Sequence, residues 1–511
     1  MEEKDQKTTQ DTPAAEAAEA QKADYWMVPA SPTVELPKPA SKRLTWEGSG
    51  ATAGEKIDYV AAAGHAEVRE DAGALKAQMF YLSYVKVDED GAADPTRPVT
   101  FLFNGGPGCA SVPINFGGFG PTRVQTDGTS HLPVTAEVTD NPRTLLRHSD
   151  LVFFDAPGTG FSPVAKGTDP KTLFGVDGDA DAFCRAITDW LEREGRWESP
   201  LYLLGESYGT VRNAVLMRLL GERGVKLTGV TMLSAIWDWV QTLPGADLYY
   251  LGMLPTFAAT AQFFGRAGED ADVDEWFDAA MDFSDSVYAP ALLLGDRLPT
   301  EREREIAEQM SELIGLPADF IAHRHLRVTL EDFRMRLLWD EDKVCGRLDT
   351  RFCSDAPSYA QQDFGWFAGE DAADDAVNAV WDRAFRMHLQ NLGYAAPARY
   401  LDSNYEKVGV KWNWNHGAPG TWGEVGAPNV AIDIATALRR DPTIKLCVLG
   451  GRYDAATTYW NVEHDLSAQF LSDELKERVE FHRYGCGHMA YVDEPTLMAM
   501  DDDLAAFYAK Q

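Results

Sequence analysis

Residues 205 to 210 read GESYGT, which places Ser207 between glycines two positions away on either side. The apolar run LYLLG precedes it, and Val211, Val215, Leu216 and Leu219 follow at helical spacing. A serine on a sharp strand-to-helix turn has its Oγ thrust above the sheet edge, and the flanking glycines are needed because larger side chains collide there. Such a hydroxyl becomes a nucleophile only when a base takes its proton and a carboxylate orients that base. Asp454 stands on a loop after the apolar run IKLCVLGG, and His464, His482 and His488 come later. His464 falls in a helical pattern and His482 in the strand-like RVEFHRY, which suits solvated or structural roles. His488, in YGCGHM, lies just past that strand in a glycine-bracketed loop. The order Ser207, Asp454, His488 is the chain order of nucleophile, acid and base on loops that follow successive strands. Acyl transfer also needs backbone N–H donors around the developing oxyanion. One is the amide of Tyr208, after the nucleophile; the other comes from the glycine-rich loop NGGPG at 104–108. No Gly-Lys-Ser/Thr follows, so this is not a phosphate loop.

The elements that must carry these residues are legible in the surrounding pattern. IDYVAAAGHAEV and LKAQMFYLSYVKV alternate apolar and polar residues around EDAGA, the pattern of an antiparallel hairpin. RPVTFLF, LRHSDLVFF, LYLLG and TGVTMLS are short continuous apolar runs, which suit strands buried on both faces of a parallel sheet. Phe183, Ile187, Trp190 and Leu191 mark a helix between two of them, and the alternation predicts a doubly wound α/β sheet. From Trp237 to Tyr400 the pattern turns irregular, with aromatic helical stretches and no sheet-like run in GRLDTRFC. The α/β pattern returns with NVAIDIATALRR, IKLCVLGG, a helix after Tyr459, RVEFHRY and a closing helix from Pro495. The expected organisation is a disordered, acidic and Ala-rich tail over 1–24, a first core segment over 25–236, a largely helical insertion covering the sheet over 237–400, and a second core segment over 401–511.

With 511 residues and 45% apolar content, the chain is long enough for one large fold with an insertion. Its 80 acidic against 47 basic side chains leave a formal charge of −33, which repels a phosphate backbone and an anionic bilayer alike. Nucleic-acid binding is thereby disfavoured. The most apolar region, Leu227 to Phe264, is broken by Asp238, Gln241 and Asp247, so no membrane insertion is expected. The polar start lacks the apolar core of a secretory signal, which leaves a cytoplasmic protein or one whose signal has been removed. There is no HExxH, and HRH at 323–325 lacks matching ligands nearby, so no metal is expected, and a serine nucleophile with its base and acid needs no organic cofactor. Six cysteines in so long a chain do not form a disulfide scaffold.

Taken together, FNGGPGCAS (103–111), VFFDAPGTGFS (152–162), GESYGT, GGRYDAATTYWN (450–461) and YGCGHMAYVDEP (484–495) resemble the serine carboxypeptidase family, peptidase family S10, here as a bacterial-type member. The resemblance implies an α/β-hydrolase fold with an inserted cap domain, a Ser207, Asp454, His488 triad, an oxyanion hole from the amides of Gly106 and Tyr208, and peptide substrates. It implies that Asn104 and Glu206 bind the free C-terminal carboxylate, with Glu206 protonated, so that peptide trimming is favoured at acidic pH. It also implies that Met489 lines the leaving-residue pocket, and that Cys109 pairs with a cap cysteine, Cys345 or Cys353, unless those two pair with each other. Leu102 and Gly118 depart from the family, which often has a tryptophan and a second acidic residue there. An acyltransferase or esterase using the same triad is the alternative that Gly118 leaves open.

Overall fold

The computed structural model describes residues 36–133, 135–356, 371–396 and 399–510. The tail assigned to 1–24 and part of the insertion lie outside the described residues. Among the described residues, thirteen strands run in chain order. They are β1 (Ala40–Glu47), β2 (Lys56–Arg69), β3 (Leu75–Lys86), β4 (Val99–Phe103), β5 (Thr122–Val124), β6 (Val138–Asp140), β7 (Asp150–Phe154), β8 (Leu201–Glu206), β9 (Leu227–Leu233), β10 (Lys343–Cys345), β11 (Cys353–Asp355), β12 (Lys445–Gly451) and β13 (Val479–Tyr484). Nine of them form one sheet in the order β1-β2-β3-β7-β4-β8-β9-β12-β13. The pairs from β1 to β7 are antiparallel, and every pair from β7 to β13 is parallel. This is the α/β-hydrolase arrangement, a mostly parallel sheet entered by an antiparallel meander.

Period-two alternation sorts the central strands between two apolar cores. Phe101, Phe103, Val152 and Phe154 face the core built with helices Val176–Glu194 and Tyr208–Glu222. Leu102, Leu151, Phe153 and Leu204 face the opposite core, shared with helices Ala372–Leu392 and Glu494–Ala509. All residues of β4, β7 and β8 are buried. Each large apolar side chain there contributes roughly 1.5–3 kcal/mol relative to exposure, which is why these runs are continuous rather than alternating.

Between Trp239 and Leu392 the described residues form mainly helices, among them Asp247–Phe263, Val273–Phe283, Thr300–Ile314 and Ala372–Leu392. Several elements differ from the sequence reading, among them the unassigned β5–β6 pair. ASKRLTWE, unassigned there, is the edge strand β1, and GRLDTRF is the turn of a hairpin whose strands β10 and β11 span three residues each. Three residues are too few to register a period. Among the described residues, no helix is long and apolar enough to cross a membrane.

Because β4, β8, β12 and β13 are parallel, their C-terminal ends open onto one edge of the sheet. The loops after them carry Asn104, Ser207, Asp454 and His488 respectively.

Candidate active site

Ser207 has φ 59° and ψ −128°, a backbone conformation that L side chains adopt only under constraint. The constraint is steric. A Cβ at Gly205 would lie 2.3 Å from the Gly209 carbonyl oxygen, and one at Gly209 would lie 2.9 Å from the Phe103 carbonyl oxygen. The turn feeds directly into the helix Tyr208–Glu222.

His488 Nδ1 lies 2.7 Å from Asp454 Oδ2. Asp454 is fully buried and fixed by its own loop: Oδ1 accepts the N–H groups of Ala456 and Thr457 at 2.8 and 2.9 Å, and Oδ2 accepts the Thr457 hydroxyl at 2.8 Å. The His488 N–H donates to the Leu348 carbonyl at 2.6 Å, and its carbonyl accepts the Ser234 hydroxyl at 2.6 Å. Burial opposes the imidazolium, yet Asp454 and Glu206 hold the His488 pKa above its usual range. The Ser207 hydroxyl is not hydrogen-bonded to the imidazole, but both residues line one cavity of about 610 Å³.

Gly105, after β4, lies against the start of the helix that follows Ser207. A Cβ at Gly105 would stand 2.4 Å from the Tyr208 nitrogen, so only glycine permits the approach. Tyr208 is the first helical residue, and its N–H has no intrahelical acceptor. Its side chain is turned away and buried, the hydroxyl accepting the Trp412 Nε1–H at 3.0 Å. Gly105, Gly106, Ser207 and Tyr208 line one wall of the same cavity.

Glu206 is buried behind the nucleophile. Both its hydrogen-bond donors, Asn104 Nδ2–H and the Tyr491 hydroxyl, reach the same oxygen, Oε2, each at 2.8 Å. Asn104 is held in turn by the Ile114 N–H, which donates to its Oδ1 at 3.0 Å. Burial pushes the Glu206 carboxyl up to about 7, against the opposing pull of His488, Tyr491 and Asn104. At Gly118 a Cβ would meet the Tyr491 ring at 3.0 Å, so the ring takes the space that a side chain at 118 would need. Met489 lines the cavity, as do Arg347, Asp371, Asp374 and Trp381 from the inserted segment.

The sequence reading missed Tyr491 and Thr457, although both lie within the stretches that carry the resemblance. Tyr491 follows His488 by three residues and Thr457 follows Asp454 by three. The implied disulfide is not present: Cys109, Cys345 and Cys353 are all free thiols. Cys109 Sγ lies 4.0 Å from the Ser403 hydroxyl instead of against a cap cysteine, while Cys345 and Cys353 face each other across the hairpin, unbonded.

Residues 53–224 match the model of the serine carboxypeptidase family, peptidase S10. The chain is similar to serine carboxypeptidase-like 50 of Arabidopsis thaliana, 31% identical over 185 residues that cover 34% of this chain and 39% of the relative. It is also similar to the pheromone-processing carboxypeptidase KEX1 of Saccharomyces cerevisiae, 32% identical over 159 residues, 29% of this chain and 20% of that one. These alignments span less than two fifths of the curated relatives. As plant and yeast proteins, they give no support to a bacterial-type assignment. The crystal structure of a prohormone-processing carboxypeptidase from Saccharomyces cerevisiae superposes with a TM-score of 0.53 at 15% identity, covering 88% of this chain and 92% of that one. That likeness is one of fold.

Proposed function

We propose that this chain is a serine-type carboxypeptidase of the S10 family that removes the C-terminal residue of peptides through an acyl-enzyme on Ser207. The observation that carries the reading is the buried, doubly donated carboxyl of Glu206 beside a strained serine whose cavity is also lined by His488, itself paired with Asp454. Ser207 Oγ attacks the carbonyl carbon of the last peptide bond and passes its proton to His488 Nε2, while Asp454 holds the ring by Nδ1. The oxyanion accepts the N–H groups of Gly106 and Tyr208. Collapse breaks the C–N bond, His488 returns the proton to the leaving amine, and water then hydrolyses the ester by the reverse roles.

The free C-terminal carboxylate explains why an acid stands next to the nucleophile. Asn104 and Tyr491 both donate to Oε2, so the proton of a neutral Glu206 resides on Oε1, from which it reaches a substrate carboxylate. A carboxyl titrating near 7 serves this role from acidic pH up to about neutrality. Met489 contributes an apolar wall to the leaving-residue pocket.

Blocked dipeptides with a free C-terminus, and the same dipeptides amidated, test the assignment. Release of the C-terminal amino acid from the free form alone supports it. Equal turnover of both, or transfer of the acyl group to an added alcohol in preference to water, assigns the site to an esterase or acyltransferase. Ser207→Ala abolishes turnover in either case.

A further inference from the structure

One excursion of the inserted segment reaches both loops that bear the acid and the base. Between β10 and β11, the Leu348 carbonyl accepts the His488 N–H at 2.6 Å and Asp349 Oδ2 accepts the Gly487 N–H at 3.0 Å. The same turn holds the other loop: the Arg347 carbonyl accepts the Ala455 N–H at 3.1 Å, and the Thr350 N–H donates to the Tyr453 carbonyl at 3.0 Å. A Cβ at Gly487 would lie 2.4 Å from Asp349 Cβ and 2.4 Å from the Leu348 oxygen, so the two segments touch with no room between them.

Arg351 completes the arrangement. Its Nε and Nη2 grip the buried Asp349 carboxylate at 3.0 and 2.7 Å. Nη1 donates to the Gly485 carbonyl at 2.6 Å and to Asp493 Oδ2 at 3.1 Å, on either side of His488. The guanidinium lies 5.0 Å from the centroid of the Tyr453 ring, the residue before Asp454. One fork-shaped cation thus spans Asp349, the base loop and the acid loop, a task for which a point charge on a flexible stem is poorly suited. The base loop has glycines at 485 and 487, residues with the greatest backbone freedom to lose.

We propose that Asp349 and Arg351 are positioning residues for the acyl-transfer step. Neither lines the cavity. They act through the 453–455 and 485–488 loops, holding His488 in the register at which its imidazole meets Ser207. The proposal rests on the reading of Ser207, His488 and Asp454 as a triad, and is independent of whether the acyl donor is a peptide.

The test uses a fluorophosphonate probe and a p-nitrophenyl ester on the full chain. The variants are Asp349→Asn, Arg351→Met and Arg351→Lys, with Phe333→Leu as a comparison. Phe333 stacks on Phe257 with ring centroids 4.1 Å apart in the apolar cluster of the insertion, and it shares no hydrogen bond with either loop. Asp349→Asn and Arg351→Met are expected to lower the fluorophosphonate inactivation rate constant and the ester kcat by about 10- to 100-fold, with KM changed by less than about 3-fold, as a misplaced catalytic group does. Arg351→Lys is expected to fall between them and wild type. Phe333→Leu is expected to lower Tm but react within about 2-fold of wild type. The proposal is overturned if folded Asp349→Asn and Arg351→Met react within about 2-fold of wild type, or if Phe333→Leu is slowed as much at an equal loss of Tm. Should the Met variant not fold, Arg351→Lys decides: slowing beyond about 2-fold supports the proposal, and less overturns it. A wild-type protein that does not react with fluorophosphonate at all breaks the triad reading itself, and this inference with it.

Discussion

At the scale of single residues, Glu206 organises the pH behaviour. Its carboxyl is raised to about 7 by burial, so between the ordinary carboxylate range and pH 7 the folded chain holds a proton that the unfolded chain has released. Stability therefore falls as pH rises across that window, by on the order of 3 kcal/mol for this group alone. Glu206→Gln is expected to remove that component, seen as a smaller difference between denaturant midpoints at pH 4.5 and 7.5 than wild type shows. The substitution should also extend peptide turnover above pH 7 relative to the enzyme's own optimum, because an amide still donates where a carboxylate repels. A peptide pH profile identical to wild type would falsify the role given to Glu206. Chain order and motif singled out this acid, Ser207, Asp454 and His488 as candidates. Tyr491, which supplies half of the Glu206 hydrogen bonding, was not, since a tyrosine beside a histidine has many uses and only the approach of its hydroxyl to Oε2 reveals this one.

At the scale of elements, close backbone contact decides what each loop tolerates. The Gly105 site faces the Tyr208 nitrogen, and Gly105→Ala would push the 104–108 loop off the helix start. The expected result is a loss of kcat of about 10²-fold, the size of removing one oxyanion donor, with a smaller change in KM. Steady-state kinetics on the p-nitrophenyl ester check it, and an unchanged kcat would count against Gly106 and Tyr208 as the donor pair. A second element, the segment around His416, is tied to two helices at once. The ring lies 2.5 Å from Asp177 and 2.8 Å from Asp433, each on a different helix of one core. Burial works against the charged ring, but the two carboxylates raise its pKa to about 9. The contribution is complete below the ordinary histidine range and is lost as pH rises through about 9. His416→Gln is expected to abolish the extra loss of stability that wild type shows between pH 7 and 10 in urea melts.

At the scale of the whole molecule, the insertion and the core are one construction. The apolar cluster of the insertion includes Ala455 and Trp460 from the core, and its 347–351 turn closes over the loops bearing Asp454 and His488. No covalent bridge joins the two parts. Titration of thiols in denaturant without reductant is accordingly expected to count six per chain, the full complement, and four would reveal a bridge.

The buried strands, their parallel pairing and the candidate positions Ser207, Asp454 and His488 were open to reading because they rest on local facts: apolar runs, a period, glycines where a turn leaves no room for a side chain. Edge strand β1 and the three-residue strands β10 and β11 escaped because a half-solvated edge or so short a pair leaves little hydrophobic pattern. What only the folded chain decided is which distant groups share a hydrogen bond: Tyr491 with Glu206, Arg351 with Gly485, His416 with Asp177 and Asp433. Such pairings depend on distances between segments far apart in the chain, and no spacing along one dimension records them.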